Sequence, residues 1–351
     1  MAERAPRTLM TTEVEQFISA LAEKSEAVLT DAQYMQHPFC IGPHHLSLGI
    51  TPGTQSELFK RAVVNDHDSV ASTHTVSVWD GTSPSNVPPR RPWGPTDHEP
   101  LGVVNRFSTG PYRCAYDMHT DSLLAYDSQR KHSWVWYPDF DALPAWAIAS
   151  PFRIPLSWFL NEHKMQMIHG AAVALDGRGI LLTAPGGSGK STTALMCALA
   201  GMDYLGDDYV VIDPQLRQIH MVYQTAKLFV PSLALLPQLE DAVINRDKLD
   251  RDKGILFLDN ADVTMSTSAA LTAIVVPQVD TASKTRLKSI SPQDALLAVL
   301  PSTIVGLFGG THVTPGLLLS LVNSVPCYQL TIGFDTEAIV PTLNSLVENH
   351  T

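Results

Sequence analysis

Apolar positions along the chain follow two periods. Between residues 12 and 29, Val14, Phe17, Ile18, Leu21, Val28 and Leu29 recur at helical spacing behind Thr12 and Glu15, which form a capping box. This predicts an amphipathic helix that packs on its own domain. Residues 75–80 (Thr-Val-Ser-Val-Trp-Asp) alternate instead, as a half-exposed strand does. Short strands are predicted at 102–107, 112–117, 122–126 and 132–137, separated by Gly, Asp and Ser turns, and together they predict a small antiparallel sheet. Trp134, Trp136, Trp146 and Trp158, in and after that sheet, predict core or interdomain packing. Residues 140–163 predict helix, broken at Pro151 and Pro155.

Two stretches fall outside either period. His37, Cys40, His44 and His45 lie between and beside Pro38 and Pro43, which predicts a loop, and their spacing matches no structural zinc pattern. Residues 81–100 hold six prolines together with Arg90 and Arg91, as an irregular or polyproline linker or an ordered surface crossing does.

The second half reads as strands alternating with helices. A strand at 168–175, a turn at 176–179 and a strand from Ile180 to Leu182 are joined too closely for a crossover, which predicts an antiparallel hairpin. A helix to Ala200 follows, then strands at 203–205 and 209–213 on either side of Gly206-Asp207-Asp208. Further on, strands at 271–277, 285–290 and 327–332 alternate with helices opened by Ser291-Pro292 and Thr314-Pro315, and Asp335 is placed to cap a last helix that accommodates Pro341. Lys227 either supplies a cation near a site or lies in solvent, and the mixed charge run 247–253 predicts a solvated helix end or loop.

The chemistry concentrates where the strand 180–182 runs into Ala184-Pro185-Gly186-Gly187-Ser188-Gly189-Lys190-Ser191-Thr192. Glycines at 186, 187 and 189 let successive backbone N–H groups turn inward around an anion, and the helix that starts at once points its positive end at the same place. In such a cradle Gly186, Gly187, Ser188, Gly189, Lys190, Ser191 and Thr192 bind phosphates, Lys190 reaches the β and γ phosphates, and the Ser191 hydroxyl ligates Mg²⁺. Ala184 stands where the motif has its first glycine, a position that only leaves the strand. The alternative is a glycine-rich turn that happens to contain Gly-Lys-Ser; strand, loop and helix in the required order favour the cradle. Asp207 and Asp208 form either an Asp-rich turn or, behind such a loop, a pair in which one carboxylate holds Mg²⁺ and the other accepts a hydroxyl proton. A lone histidine before a strand, such as His169, is more often structural.

Charge and composition narrow the partners. A formal net charge of −11 and a pI near 5.5 argue against nucleic acid and anionic membranes. Four scattered cysteines, an N-terminus without an apolar core and an apolar stretch at 295–310 interrupted by Pro301, Ser302 and Thr303 lead us to expect a cytoplasmic, non-membrane protein.

The order Ile168-His169-Gly170, strand and turn, Gly187-Ser188-Gly189-Lys190-Ser191, then Gly206-Asp207-Asp208 resembles the C-terminal catalytic domain of HPr kinase/phosphorylase and the wider phosphoenolpyruvate carboxykinase-like superfamily over about residues 165–215. The remainder is similar in element order to bacterial HPr-kinase-related proteins of peptide-tailoring clusters, including lasso-peptide kinases. The resemblance implies an α/β fold: a P-loop nucleotide domain of that type with a mixed sheet at 151–351, preceded by a smaller α+β domain at 1–150 that recognises substrate or packs on it. It implies ATP and Mg²⁺ as cofactors, Asp207 as metal ligand, Asp208 as base, His169 beside the transferred phosphate, and a serine of a peptide or small protein as acceptor; a homo-oligomer is left open. The C-terminal signature of HPr kinase has no clear counterpart, so neither HPr as substrate nor the reverse reaction is implied. Two other readings stand beside this one: a kinase of free serine or another small hydroxyl compound, and a nucleotide-binding module without transfer chemistry.

Overall fold

The computed structural model describes residues 5–34, 36–66, 70–94, 96–99, 101–309 and 314–348, without the side chains of residues 5–12. It is a mixed α/β structure in two compact units, Met1–Lys60 with Asn65–Phe159 and Arg61–Val64 with Leu160–Thr351. In chain order its first elements are α1 (Ala5–Asp31), β1 (Gln36–Ile41), β2 (His44–Ile50), α2 (Thr54–Ala62), β3 (His74–Asp80), β4 (Tyr112–Asp117), β5 (Ser122–Asp127), β6 (His132–Tyr137), α3 (Ala145–Ala149) and α4 (Arg153–Glu162). No helix among the described residues is long and apolar enough to cross a membrane.

In the first unit, Val14, Phe17, Ile18, Leu21 and Val28 of α1 pack in one core with Trp79, Cys114, Leu123, Ala125 and Trp134. The helix begins upstream of the expected cap at Thr12, whose side chain lies outside the described residues. The sheet is larger than the small antiparallel one expected and is mixed: six strands in the order β1-β2-β3-β6-β5-β4. The segment expected to be a loop around His37–His45 forms the hairpin β1–β2. Pro38 is tolerated there because β1 is an edge strand, and Gly42, at φ 55, makes the tight turn that Pro43 completes. β3 is not half-exposed. It lies between β2 and β6, parallel to both, so polar His74 and Ser77 are buried too, and Ser77 Oγ pairs with His132 Nε2 at 2.8 Å. The strand expected at 102–107 is reduced to a Val103–Ala115 bridge after Gly102, at φ 98, and then winds into a 3₁₀ turn at Asn105–Phe107. The described part of 81–100 is an ordered crossing, held where Trp79 Nε1 donates to the Asn86 carbonyl at 3.0 Å and where Trp93 is buried. Pro151 does separate α3 from α4, whereas Pro155 causes no break because it falls in the first turn of α4, where its missing N–H has no helical partner to lose.

The second unit continues with β7 (Gln166–His169), β8 (Ala171–Leu175), β9 (Arg178–Leu182), α5 (Lys190–Leu199), β10 (Asp203–Gly206), β11 (Tyr209–Asp213), β12 (Gln218–Met221), β13 (Thr225–Leu228), α6 (Val230–Leu233), β14 (Gly254–Phe257), β15 (Ser268–Val279), β16 (Arg286–Ser289), α7 (Pro292–Gly306), α8 (Thr314–Ser324), β17 (Cys327–Ile332) and α9 (Ile339–Glu348). Its main sheet is mixed, ordered β10-β8-β9-β15-β12-β11-β7, with β17 pairing β15 and β16 pairing β17. Both faces are covered, which is why the central strands read as unbroken apolar runs. Along β8 and β9, Ala171, Val173, Ile180 and Leu182 face α5 and α9, and Ala172, Ala174 and Leu181 face α7 and α8. Ser291 Oγ accepts from Asp294 N at 3.1 Å and caps α7 as its sequence suggests. Asp335 does not cap with its side chain; Oδ1 accepts from Thr285 N at 2.6 Å instead.

Strand direction and register in this sheet bring its loops together. β8 and β9 form the expected hairpin, Leu175 opposite Arg178, with Asp176 and Gly177 both at positive φ. β10 is antiparallel to β8 and therefore runs with β9, as do β15 and β17, so these strands end at one edge of the sheet. The strand expected at 168–175 is interrupted at Gly170: β7 pairs with β11 while β8 pairs with β9 and β10. A Cβ at Gly170 would lie 2.7 Å from the Leu182 carbonyl oxygen, a contact only glycine permits without displacing backbone. Gly170→Ala is therefore expected to lower stability by about 1–3 kcal/mol, measured by urea unfolding; an unchanged midpoint would show that the backbone relaxes freely there.

Candidate active site

The edge where β9, β10, β15 and β17 end carries a cavity of about 320 Å³, the place where open α/β sheets bind ligands. Residues 186–192, His169, Asp207, Asp208 and Lys227 all line it. Every residue singled out in the sequence for phosphate, metal or proton chemistry is thus on one concave surface.

The loop is built as its glycines dictate. Gly187 and Gly189 adopt φ 80 and φ 96, and Gly189 is the N-cap of α5, so the first turn of that helix opens onto the cavity. A side chain at Gly189 would also collide with Ile332 Cδ1 at 2.8 Å. Ala184 is buried, and its carbonyl accepts from Lys190 Nζ at 2.7 Å, with the Pro185 carbonyl at 3.1 Å. Burial pulls the Lys190 ammonium below the usual lysine range, against the opposing pull of Asp207 and Asp208; nearby Lys253 adds a smaller repulsion. Ser191 faces the cavity, and Thr192 Oγ1 donates to Ser232 Oγ at 3.0 Å, tying the helix start to α6.

Asp207 and Asp208 share a turn but not an environment. Asp208 sits at φ 66, and Tyr209 N donates to the Asp207 carbonyl at 2.8 Å, closing a three-residue turn of the strained positive-φ kind. The two side chains consequently diverge. Asp207 is 2% exposed; Oδ2 accepts from Lys227 N at 3.1 Å, and Oδ1 has no hydrogen-bond partner among the described residues. Asp208 Oδ2 accepts from Lys227 Nζ at 2.5 Å, and Oδ1 lies 3.6 Å from His169 Nε2. Burial alone would raise the Asp208 carboxyl, but the Lys227 ammonium, with His169, outweighs it and holds the group well below the usual carboxylate range. His169 reaches this position because β7 pairs with β11 in the register His169–Tyr209, and Gly170 N donates to the Asp208 carbonyl at 3.1 Å.

Lys227, which the sequence left between site and solvent, is in the cavity wall. It comes from β13, which pairs with β14 in a two-stranded arm, and the arm is fixed where Tyr204 Oη donates to the Thr225 carbonyl at 2.7 Å. Lys253 and Phe229 also line the cavity, Lys253 Nζ lying 4.4 Å from the centre of the Phe229 ring. The sequence reading missed both. Lys253 ends a charge run that looks solvated, and its one distinguishing sign is that the apolar strand Gly254–Phe257 follows it directly.

The residues fit a magnesium–nucleotide complex. A buried carboxylate oxygen without a donor is costly unless a cation arrives, and among the described residues Asp207 Oδ1 is such an atom; the Ser188 hydroxyl, also without a partner among them, is a donor that a phosphate oxygen could satisfy. No group of three or more His, Cys, Asp or Glu among the described residues could hold a metal unaided, so a cation here would draw its other ligands from Ser191, phosphate and water, as Mg²⁺ does.

No family model matches the chain, and no curated protein matches it. Among solved structures it is similar to the Hpr(Ser) kinase/phosphatase from Coxiella burnetii, at 14% identity and a TM-score of 0.28, over 53% of this chain and 90% of that one. A likeness of that size carries no weight for the chemistry, which rests on the site's own geometry.

Lys227→Met would leave the Asp208 carboxylate buried without its cation, and a loss of about 3 kcal/mol is expected at neutral pH. The wild-type carboxyl is depressed, so its stabilising contribution is complete above the unfolded value near pH 4 and fades as pH falls below it. The gap between variant and wild type should therefore shrink on acidification, as read by denaturant unfolding at pH 7 and in steps below pH 4. A gap that stays constant would mean that the ion pair contributes nothing.

Proposed function

We propose that the chain is an ATP- and Mg²⁺-dependent phosphotransferase that moves the γ-phosphoryl group to a serine hydroxyl of a peptide or small protein. The observation that carries this reading is the gathering, on one cavity, of a positive-φ glycine loop at a helix start, a buried lysine and two differently held carboxylates.

On this reading the loop N–H groups of residues 186–191 and the start of α5 bind the phosphates, and Lys190 exchanges the Ala184 and Pro185 carbonyls for phosphate oxygens. Ser191 Oγ and Asp207 Oδ1 would hold the metal. Mg²⁺, when bound, neutralises charge on the β and γ phosphates. The apolar side of the cavity at Val279, Ile332 and Ile339 suits the nucleobase. That leaves the more open carboxylate, Asp208, facing the acceptor. The serine oxygen forms a bond to the γ phosphorus, the bond to the β,γ-bridging oxygen breaks, ADP leaves, and the hydroxyl proton passes to Asp208. A loose transition state asks little basicity of that carboxylate, so its depressed pKa ensures that it is ionised without forbidding the role. Lys227 and His169 orient it and offset the charge that builds up nearby.

Asp208→Asn is expected to lower transfer by about 10²–10⁴-fold while nucleotide binding survives, measured by mass spectrometry of phosphorylated product alongside nucleotide competition. Unchanged transfer would remove Asp208 from the chemistry; bound nucleotide without transfer to any hydroxyl in the wild type would instead favour the non-catalytic module.

A further inference from the structure

The arm that carries Lys227 continues past the carboxylates. Its last pair is Leu228–Gly254, so the next position outward sets Phe229 beside Lys253, in keeping with the stacking of the ammonium on the ring. Phe229, Leu235 and Lys253 line the same cavity as Asp208. They are nevertheless not packed: Phe229 is 54% exposed, Val230 47% and Leu235 61%. Neighbouring large apolar side chains left in water beside the charged groups of a cavity mark a surface that something covers.

Two features say what covers it. The nucleobase has an apolar wall of its own on the β15–β17 side, at Val279, Ile332 and Ile339, whereas the exposed strip adjoins Lys227 on the β10 side, where Asp208 is held. The strip is thus placed for an acceptor, and free serine has no apolar surface to lay on it. Charge supplies the second feature. The chain carries a net −11, yet three ammonium groups turn to this cavity. Lys190 serves the loop, Lys227 is matched by Asp208, and Lys253, whose ammonium has only the Phe229 ring as partner among the described residues, is the cation left to receive a carboxylate.

We propose that this strip seats the acceptor, and that the acceptor is a peptide segment with a bulky apolar side chain and a carboxylate close to its serine, the first laid on Phe229 and Leu235 and the second on Lys253. This rests on the phosphotransferase reading and narrows its substrate class. The test is phosphorylation of a degenerate peptide library with one fixed serine, by full-length wild type with ATP and Mg²⁺, the phosphorylated fraction being sequenced by mass spectrometry and free serine assayed in parallel. Enrichment of about tenfold is expected for Leu, Ile or Phe and for Asp or Glu near the phosphoserine. Phe229→Ser should erase the apolar selection, and Lys253→Glu should replace the acidic preference by a basic one; these ratios are independent of overall rate. Unselective phosphorylation or the same selection in both variants would overturn the docking strip while leaving the kinase reading in place, and phosphorylation of free serine alone would overturn the strip and the peptide acceptor but leave ATP-dependent phosphotransfer standing. Phosphate on neither peptide nor serine would remove the reading beneath it.

Discussion

Two adjacent carboxylates in a buried turn are an electrostatic problem, and the second unit is arranged around its solution. One residue, Lys227, answers both, giving its backbone N–H to Asp207 and its ammonium to Asp208. Because these are different groups of one residue, they stay in register only if β13 runs past the turn at a fixed height, which the Tyr204–Thr225 contact and the pairing with β14 ensure. The positive-φ geometry at Asp208 is tolerable for the same reason: the surroundings over-determine it. Among the described residues one oxygen of Asp207, a carboxylate that lines the cavity, remains without a hydrogen-bond partner.

The parts that could be read from the sequence are those whose cause is local. Glycine at 187 and 189 before Lys190 leaves few backbone options, and the observed φ values follow from it. The 176–177 hairpin and the Ser291 cap are likewise consequences of neighbouring residues. The parts that could not be read depend on what is brought alongside. Lys227 looks like any surface lysine until β13 is set against the turn. The hairpin at His37–His45 was hidden because two prolines and several polar residues resemble a loop, and only the edge position of β1 makes them acceptable. β3 alternates like a wet strand, yet parallel neighbours on both sides bury it. At Gly170 one apolar run conceals two strands with different partners. The assignment of Arg61–Val64 to the second unit belongs to the same class: the Val63–Tyr223 bridge and the hydrogen bonds from Gln224 to the Ala62 and Val63 carbonyls are set by tertiary placement alone.

Strand direction then decides how the site is divided. With β9, β10, β15 and β17 all ending at one edge, the loop after β9 lies between a charged flank after β10 and an apolar flank after β15 and β17. The two ends of the cavity are therefore chemically distinct, and a ligand's orientation is constrained by which of its ends each flank accepts. Specificity of this kind needs no motion of the sheet; it is inherent in the order of the strands.

The lysine folded onto the carbonyls of Ala184 and Pro185 has a further consequence. A cation already holding two acceptors gains from a phosphate only the difference between the new partners and the old, and its departure strips those carbonyls of their donor. The loop is therefore braced from within the chain, one ammonium drawing together the two carbonyls at its start, and under the proposed function a spent nucleotide would face an intramolecular rival for that ammonium.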